Sequence, residues 1–168
     1  GGSKIADNVA INSTEVYGPG ATVAAFMMQP LLVLAAVAGS ALLLWALRRG
    51  AEPEELFLEG ALMMTTAFIV FNKVGSPQFI IWLAPVVIAG LTHDWNRWRV
   101  PAALLMGIAM TTFVIYPLFY TPLIHANPVM ATVLTTRNVL LVLMLWWSVQ
   151  RTLELGRKSG ARTAIRSA

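Results

Sequence analysis

The segment Asn72-Lys73-Val74-Gly75-Ser76-Pro77-Gln78-Phe79 interrupts two apolar runs and carries residue types suited to holding an anion. Lys73 brings an ammonium with three donors. Ser76 is suited to cap a helix and Pro77 to open one, so the free N–H groups of that helix start would point into the same space as Lys73. Asn72 and Gln78 add amides able to contact a phosphate or a sugar hydroxyl. A polar, charged turn between membrane-length helices is costly unless it faces water or a ligand. A structural reading covers Gly75, Ser76 and Pro77, which make an ordinary turn and helix start. It gives no role to Lys73, Gln78 or Asn72, and both readings stay open.

Arg137 is the second cation of interest. It lies eight residues into the apolar run that begins at Val129, about 12 Å along a helix. Unpaired there it would cost several kcal/mol. Six of the eight acidic residues belong to the opposite side of the membrane in the topology below, leaving Asp7 and Glu15. Arg137 therefore pairs with one of these, snorkels to the surface with Thr135, Thr136 and Asn138 easing its entry, or meets an anion that is not protein. With Lys73 on the same side, the two cations suit a phosphate or diphosphate headgroup.

Other chemistries find little support. Cysteine is absent, which removes disulfides, thiol nucleophiles and thiolate metal sites. His93 and His125 fall on opposite sides of the membrane, so they cannot share a metal. No Ser-His-Asp or Cys-His arrangement, Gly-rich nucleotide loop or HExxH is present. Neither a metal nor a cofactor is expected.

The elements that must position these residues are membrane helices. Hydrophobic residues make up 57% of the 168-residue chain and charged ones only 12%, about half the charge of a soluble domain. Mean hydropathy is +0.68. The apolar runs are Thr22–Leu47, Leu56–Phe71, Pro77–Leu91, Val100–Phe119 and Val129–Val149. The expected fold is an all-α polytopic bundle of about five spans, with no strand longer than a two-residue bridge. The second and third runs are short, and a re-entrant hairpin made by these two is the rival topology. Pro53 with Glu54 and Glu55 suits the start of the second helix, and Pro85 is expected to kink the third.

With five spans, nine of the twelve basic residues fall on one side, while Lys4 and Lys73 fall on the other. The positive-inside rule then places the N-terminus outside and the C-terminus in the cytoplasm of a plasma-membrane protein. The formal charge of +4 thus belongs to a membrane surface and not to nucleic acid. Trp45, Trp95, Trp98, Trp146 and Trp147 fall at the cytoplasmic boundary and read as belt residues. The expected organisation is an external segment over 1–21, a transmembrane domain over 22–152 and a basic cytoplasmic tail over 153–168, read as frayed over Gly156–Ala168 and resting on anionic lipid. The chain opens on Gly-Gly-Ser and not Met, and reads as a piece of something longer.

Residues 72–85, Asn-Lys-Val-Gly-Ser-Pro-Gln-Phe-Ile-Ile-Trp-Leu-Ala-Pro, resemble a motif of the GT-C class of membrane mannosyltransferases. The similarity is to actinobacterial glycosyltransferase family 87, with its Lys-x-x-Ser-Pro-Gln-aromatic turn followed by a Trp-Leu-x-Pro helix. Tyr116-Pro117 with Tyr120, and Thr136-Arg137-Asn138, also look like that family's C-terminal half. The resemblance implies an integral membrane enzyme that moves mannose or a related sugar from a polyprenyl-phosphate donor to a lipoglycan or glycolipid acceptor on the outer face. It implies that Lys73 and Arg137 hold the donor phosphate, with Asn72, Ser76 and Gln78 contacting phosphate or sugar. The family's catalytic aspartate sits in an early external loop that nothing here matches. The resemblance is thus to the C-terminal part of such an enzyme, inactive without its N-terminal part, and the catalytic residue stays unassigned. Two other classes remain: a polytopic scaffold or transporter-like subunit that binds anionic lipid without chemistry, and a purely structural membrane bundle.

Overall fold

The computed structural model describes residues 4–8, 13–17, 19–72, 77–125 and 127–166. Two strands come first. β1 (Lys4–Asn8) and β2 (Ser13–Tyr17) pair antiparallel, with Lys4 opposite Tyr17 and Asn8 opposite Ser13. No strand of that length was expected. The β-branched Ile5, Thr14 and Val16, followed by Tyr17, favour extended backbone, but they are too few to register beside the long apolar runs. From Pro19 onward the regular elements are all helical, as expected.

α1 (Pro19–Arg48) stops at Gly50, which adopts a φ of 82°. The Gly50 N–H donates to the Leu47 carbonyl at 2.9 Å and the Ala51 N–H to that of Ala46 at 3.1 Å. This bond pair closes a helix on a left-handed glycine, accompanied by an apolar contact across the cap. Here Ala46 and Ala51 supply it, both buried in one cluster. α2 (Pro53–Phe71) opens on Pro53 with Glu54 and Glu55 in its first turn, as the sequence leads one to expect. A 3-10 segment, Pro77–Trp82, leads into α3 (Leu83–His93). Pro85 therefore lies in the first turn of α3, where a missing N–H costs no helix bond. The irregularity expected at Pro85 appears instead as the change of helix type before Leu83.

Asp94 ends α3 and caps α4 (Trp95–Phe113), its carboxylate accepting from the Arg97 N–H at 3.1 Å. A wide π turn (Val114–Leu118) and the short α5 (Tyr120–Ile124) follow. α6 (Pro128–Arg166) is then capped by Asn127, whose Oδ1 accepts from the Val129 N–H at 2.9 Å. The frayed tail expected from Gly156 onward is instead, as far as Arg166, the continuation of α6. Gly156 and Gly160 account for this in packing terms. A Cβ at Gly156 would fall 2.2 Å from the Trp45 ring and one at Gly160 3.1 Å from Arg49, so the two glycines let α1 lie directly on the helix.

The same close approaches fix the directions of the helices. Trp45 meets Gly156 and Arg49 meets Gly160, so α1 and α6 run parallel. Gly39 meets Met64 and Gly60 meets Leu43, so α1 and α2 are antiparallel. Trp98 lies 6.0 Å from Trp147 while Thr112 bonds Arg137, so α4 and α6 are antiparallel too. The core between them contains Leu62, Leu83, Trp98, Ile108, Leu141 and Met144.

Three helices are long and apolar enough to cross a membrane: Phe26–Arg48, Trp95–Tyr116 and Pro128–Ala161. Pro77–His93 is a shorter apolar stretch. These mark a membrane protein. The tryptophan belt needs one correction. Trp95 and Trp146 are exposed as belt residues should be, but Trp98 is only 1% exposed and packs against Gly90 in the core.

Candidate anion-binding site

The bundle has two chemically different ends. At one, carboxylates answer the cations. Arg97 Nη1 lies 3.0 Å from Glu55, Arg151 Nη1 2.6 Å from Glu154, and Arg151 Nε 3.9 Å from the buried Glu59. His93 and Glu54 are 3.5 Å apart at the same end.

Fourteen residues separate Arg151 from Arg137 along α6, about 21 Å of helix. Because α2 runs antiparallel to α6, the same distance outward from Glu59 reaches the end of α2. Phe71 and Asn72 are thereby level with Arg137. Asn72 ends α2 in extended backbone (φ −74°, ψ 133°) and is half-buried. Gln78 lies exposed in the 3-10 segment. Lys73 and Ser76 fall outside the described residues, so the turn that the sequence singles out is placed only through its flanks.

Arg137 itself is 6% exposed, which rules out snorkelling. Its Nε donates to Thr112 Oγ1 at 3.1 Å and its Nη1 makes a long contact of 3.5 Å with Asn138 Oδ1. Its Nη2 is buried with no hydrogen-bond partner among the described residues. No carboxylate among them forms an ion pair with it; the side chains of Asp7 and Glu15 lie outside the description. Thr135 and Thr136, expected to ease its entry, bond their own helix instead, donating to the carbonyls of Ala131 and Thr132 at 2.8 and 2.9 Å. A buried guanidinium with one edge held and the other open is geometrically suited to an oxyanion, which can accept two parallel N–H bonds.

The helix break beside Arg137 follows from sequence. Proline disfavours helical backbone in the residue before it, and Tyr116, before Pro117, adopts φ −123° and ψ 119°. The chain turns there, and the rings of Tyr116 and Tyr120 stack with centroids 4.8 Å apart. Tyr116 is close enough to Arg137 for the two to interact electrostatically. On the 3-10 side, Phe79 and Trp82 of the sequence motif pack on Phe68 of α2, with centroids 5.7 Å away in both cases. The motif's aromatics therefore join its turn to α2.

Thr112 escaped sequence reasoning. A threonine inside an apolar span satisfies its own hydroxyl on the preceding turn, and Thr112 does so by donating to the Ile108 carbonyl at 2.7 Å. That bond uses the hydroxyl proton and leaves a lone pair for Arg137, so the polar role is invisible in composition. Among the described residues there is no group of three metal-binding side chains.

Comparisons with protein-family models, curated proteins and solved structures find no match to this chain.

Proposed function

We propose that this chain is part of an integral membrane glycosyltransferase that takes mannose or a related sugar from a polyprenyl-phosphate donor and passes it to a lipoglycan or glycolipid acceptor on the outer face. The observation that carries this reading is Arg137, a buried cation whose Nη2 has no partner among the described residues. Every other cation in a described ion pair sits at the opposite end of the bundle. Burying an arginine at membrane depth costs about 2.5–3.5 kcal/mol even on the mildest scale. An anionic headgroup offsets that cost by accepting from the open edge. In this reading Arg137 and Lys73 hold the donor phosphate, while Asn72, Ser76 and Gln78 contact phosphate or sugar.

The test is binding and transfer together. Arg137→Ala in nanodiscs should weaken polyprenyl-phosphate binding by about 30- to 150-fold, the loss of one charge-assisted buried contact. Sugar transfer in membranes expressing the complete protein should fall with it. Unchanged affinity in a well-folded Arg137→Ala protein overturns the reading.

A second reading is a lipid-binding subunit without chemistry. The observation favouring it is that the groups placed around Arg137 (Thr112, Asn138, Tyr116) are binding groups and include no carboxylate among the described residues. Arg137-dependent binding with no transfer by the complete protein would select it.

A further inference from the structure

A trough of about 410 Å³ runs between α3 and α4, lined by Ile80, Ala84, Val87, Leu91, Ala102 and Ala109 among others. Its lining side chains are all apolar, Met106 included, and its depth comes from the three alanines, which stand where larger side chains would fill it. In a bilayer an apolar surface alone is no site, because lipid tails cover any such face without preference. Position singles this one out. Ala109 at one end precedes Thr112 by three residues, about 4.5 Å along the helix axis, and Thr112 holds Arg137. Ile80, at the same end, packs in one cluster with Ile108 and with Leu141, one turn from Arg137 on α6.

Resting on the reading of Arg137 as a phosphate site, we infer that the α3–α4 trough holds the hydrocarbon chain of the lipid whose phosphate meets Arg137. The small side chains Ala84, Ala102 and Ala109 keep the path open. A headgroup lodged beside Thr112 leaves its chain at the mouth of the trough, and the trough then leads it about 10 Å along α4 from Ala109 to Ala102. The chain packs there against Ile80, Val87 and Leu91. The role of the trough is orientation: in hydrocarbon there is no hydrophobic gain in moving a chain from lipid to protein, so a fixed path acts by aligning the phosphate-bearing end. A second apolar trough of about 430 Å³, between α1 and α2 near Leu43, Gly60 and Ala61, lies toward the Glu59–Arg151 end and serves as a control.

The experiment uses the full chain in nanodiscs with a polyprenyl phosphate carrying a photoreactive diazirine midway along its chain. Labelled peptides are mapped by mass spectrometry. Label should concentrate on 80–91 and 102–109, be displaced by unlabelled polyprenyl phosphate, and fall in Arg137→Ala and Ala109→Trp to the level given by a diazirine phosphatidylcholine. Ala61→Trp, in the other trough, should leave it unchanged. In parallel, a short water-soluble prenyl phosphate is titrated to read headgroup binding alone, and Ala109→Trp should retain it, which also shows that this variant is folded. Arg137-dependent binding of the short phosphate with no selective label on α3 and α4 overturns the trough and leaves the phosphate site standing. Label there that ignores Arg137 also overturns it, as bulk lipid. Absence of any Arg137-dependent binding removes the phosphate site and the trough with it.

Discussion

Thr112 holds Arg137 by one edge: its Oγ1 accepts from Nε at 3.1 Å while its own proton goes to the Ile108 carbonyl at 2.7 Å. The hydroxyl is thus committed on both sides, and the guanidinium is oriented with Nη2 left open. Thr112→Val keeps the volume and removes the acceptor. A buried donor left without a partner costs about 1–3 kcal/mol, so the melting temperature should fall. Binding of a lipid phosphate should weaken by about 5- to 30-fold, the factor that 1–2 kcal/mol represents. Thr112→Ser, which retains the acceptor, should behave nearly as wild type in both measurements. Loss in Thr112→Ser with retention in Thr112→Val would show that the threonine methyl, not its oxygen, supports Arg137.

Gly90 admits Trp98 to the core. A Cβ at position 90 would fall 1.9 Å from the indole ring, a distance no side-chain adjustment of a fully buried tryptophan can relieve. Gly90→Ala should destabilise by about 1–3 kcal/mol, the usual range for overpacking, read as a lowered thermal midpoint in detergent. Gly107→Ala is the comparison. Its Cβ would meet only the flexible end of Leu140, at 3.1 Å, and the midpoint should move little. Pairing Gly90→Ala with Trp98→Leu should recover part of the loss if the clash is the cause.

Much of the frame was legible in the sequence. Apolar runs and the turn at 72–79 placed the membrane helices, and the end of the first run at Leu47 and Pro53-Glu54-Glu55 marked where α1 stops and α2 starts. What escaped depends on neighbours that a one-dimensional reading does not supply. Trp98 looks like its belt companions until Gly90 is seen to leave room for it. Gly156 and Gly160 lie in the segment read as a frayed tail, yet here they are the contact through which α1 supports α6. At the site, Arg137 could be found because a charge in an apolar run is conspicuous. Thr112 could not, since its hydroxyl satisfies itself locally. Whether Arg137 paired, snorkelled or waited for an anion needed its burial, which the antiparallel packing of α4 and α6 determines.

Glu59 and Arg151 join α2 to α6 at the other end. Glu59 is 1% exposed, and neither of its carboxylate oxygens has a hydrogen-bond partner in the description. Arg151 at 3.9 Å is the cation paired with it, and Arg97 is also close enough to act on it electrostatically. Arg151→Met would leave the buried charge without its paired cation and should cost about 3–5 kcal/mol, whereas replacing both, with Glu59→Leu in the same chain, should restore most of the stability. Glu154→Gln removes only the half-exposed partner of Arg151 and should cost less than about 1 kcal/mol. The melting temperatures of the three variants should order in that way. A large loss in Glu154→Gln would instead make the surface carboxylate the main partner.

The last prediction is the direction in which the bundle sits. Arg48, Arg49, Arg97, Arg99, Arg151, Arg157 and Lys158 gather at the end where α1 stops, α3 meets α4 and α6 extends past its neighbours. Basic residues near the ends of spans remain on the cytoplasmic side, so this end should be cytoplasmic, and the Arg137 end, with the turn at 73–76, external. The chain has no cysteine, so single cysteines report without background. In intact cells an impermeant maleimide should label Gly75→Cys and miss Lys158→Cys, which labels only after permeabilisation. Lys158 is 67% exposed along its side chain, so failure to label it from outside would reflect sidedness and not burial. The reverse pattern would put Arg137 on the cytoplasmic side, where a donor presented at the outer face does not reach it.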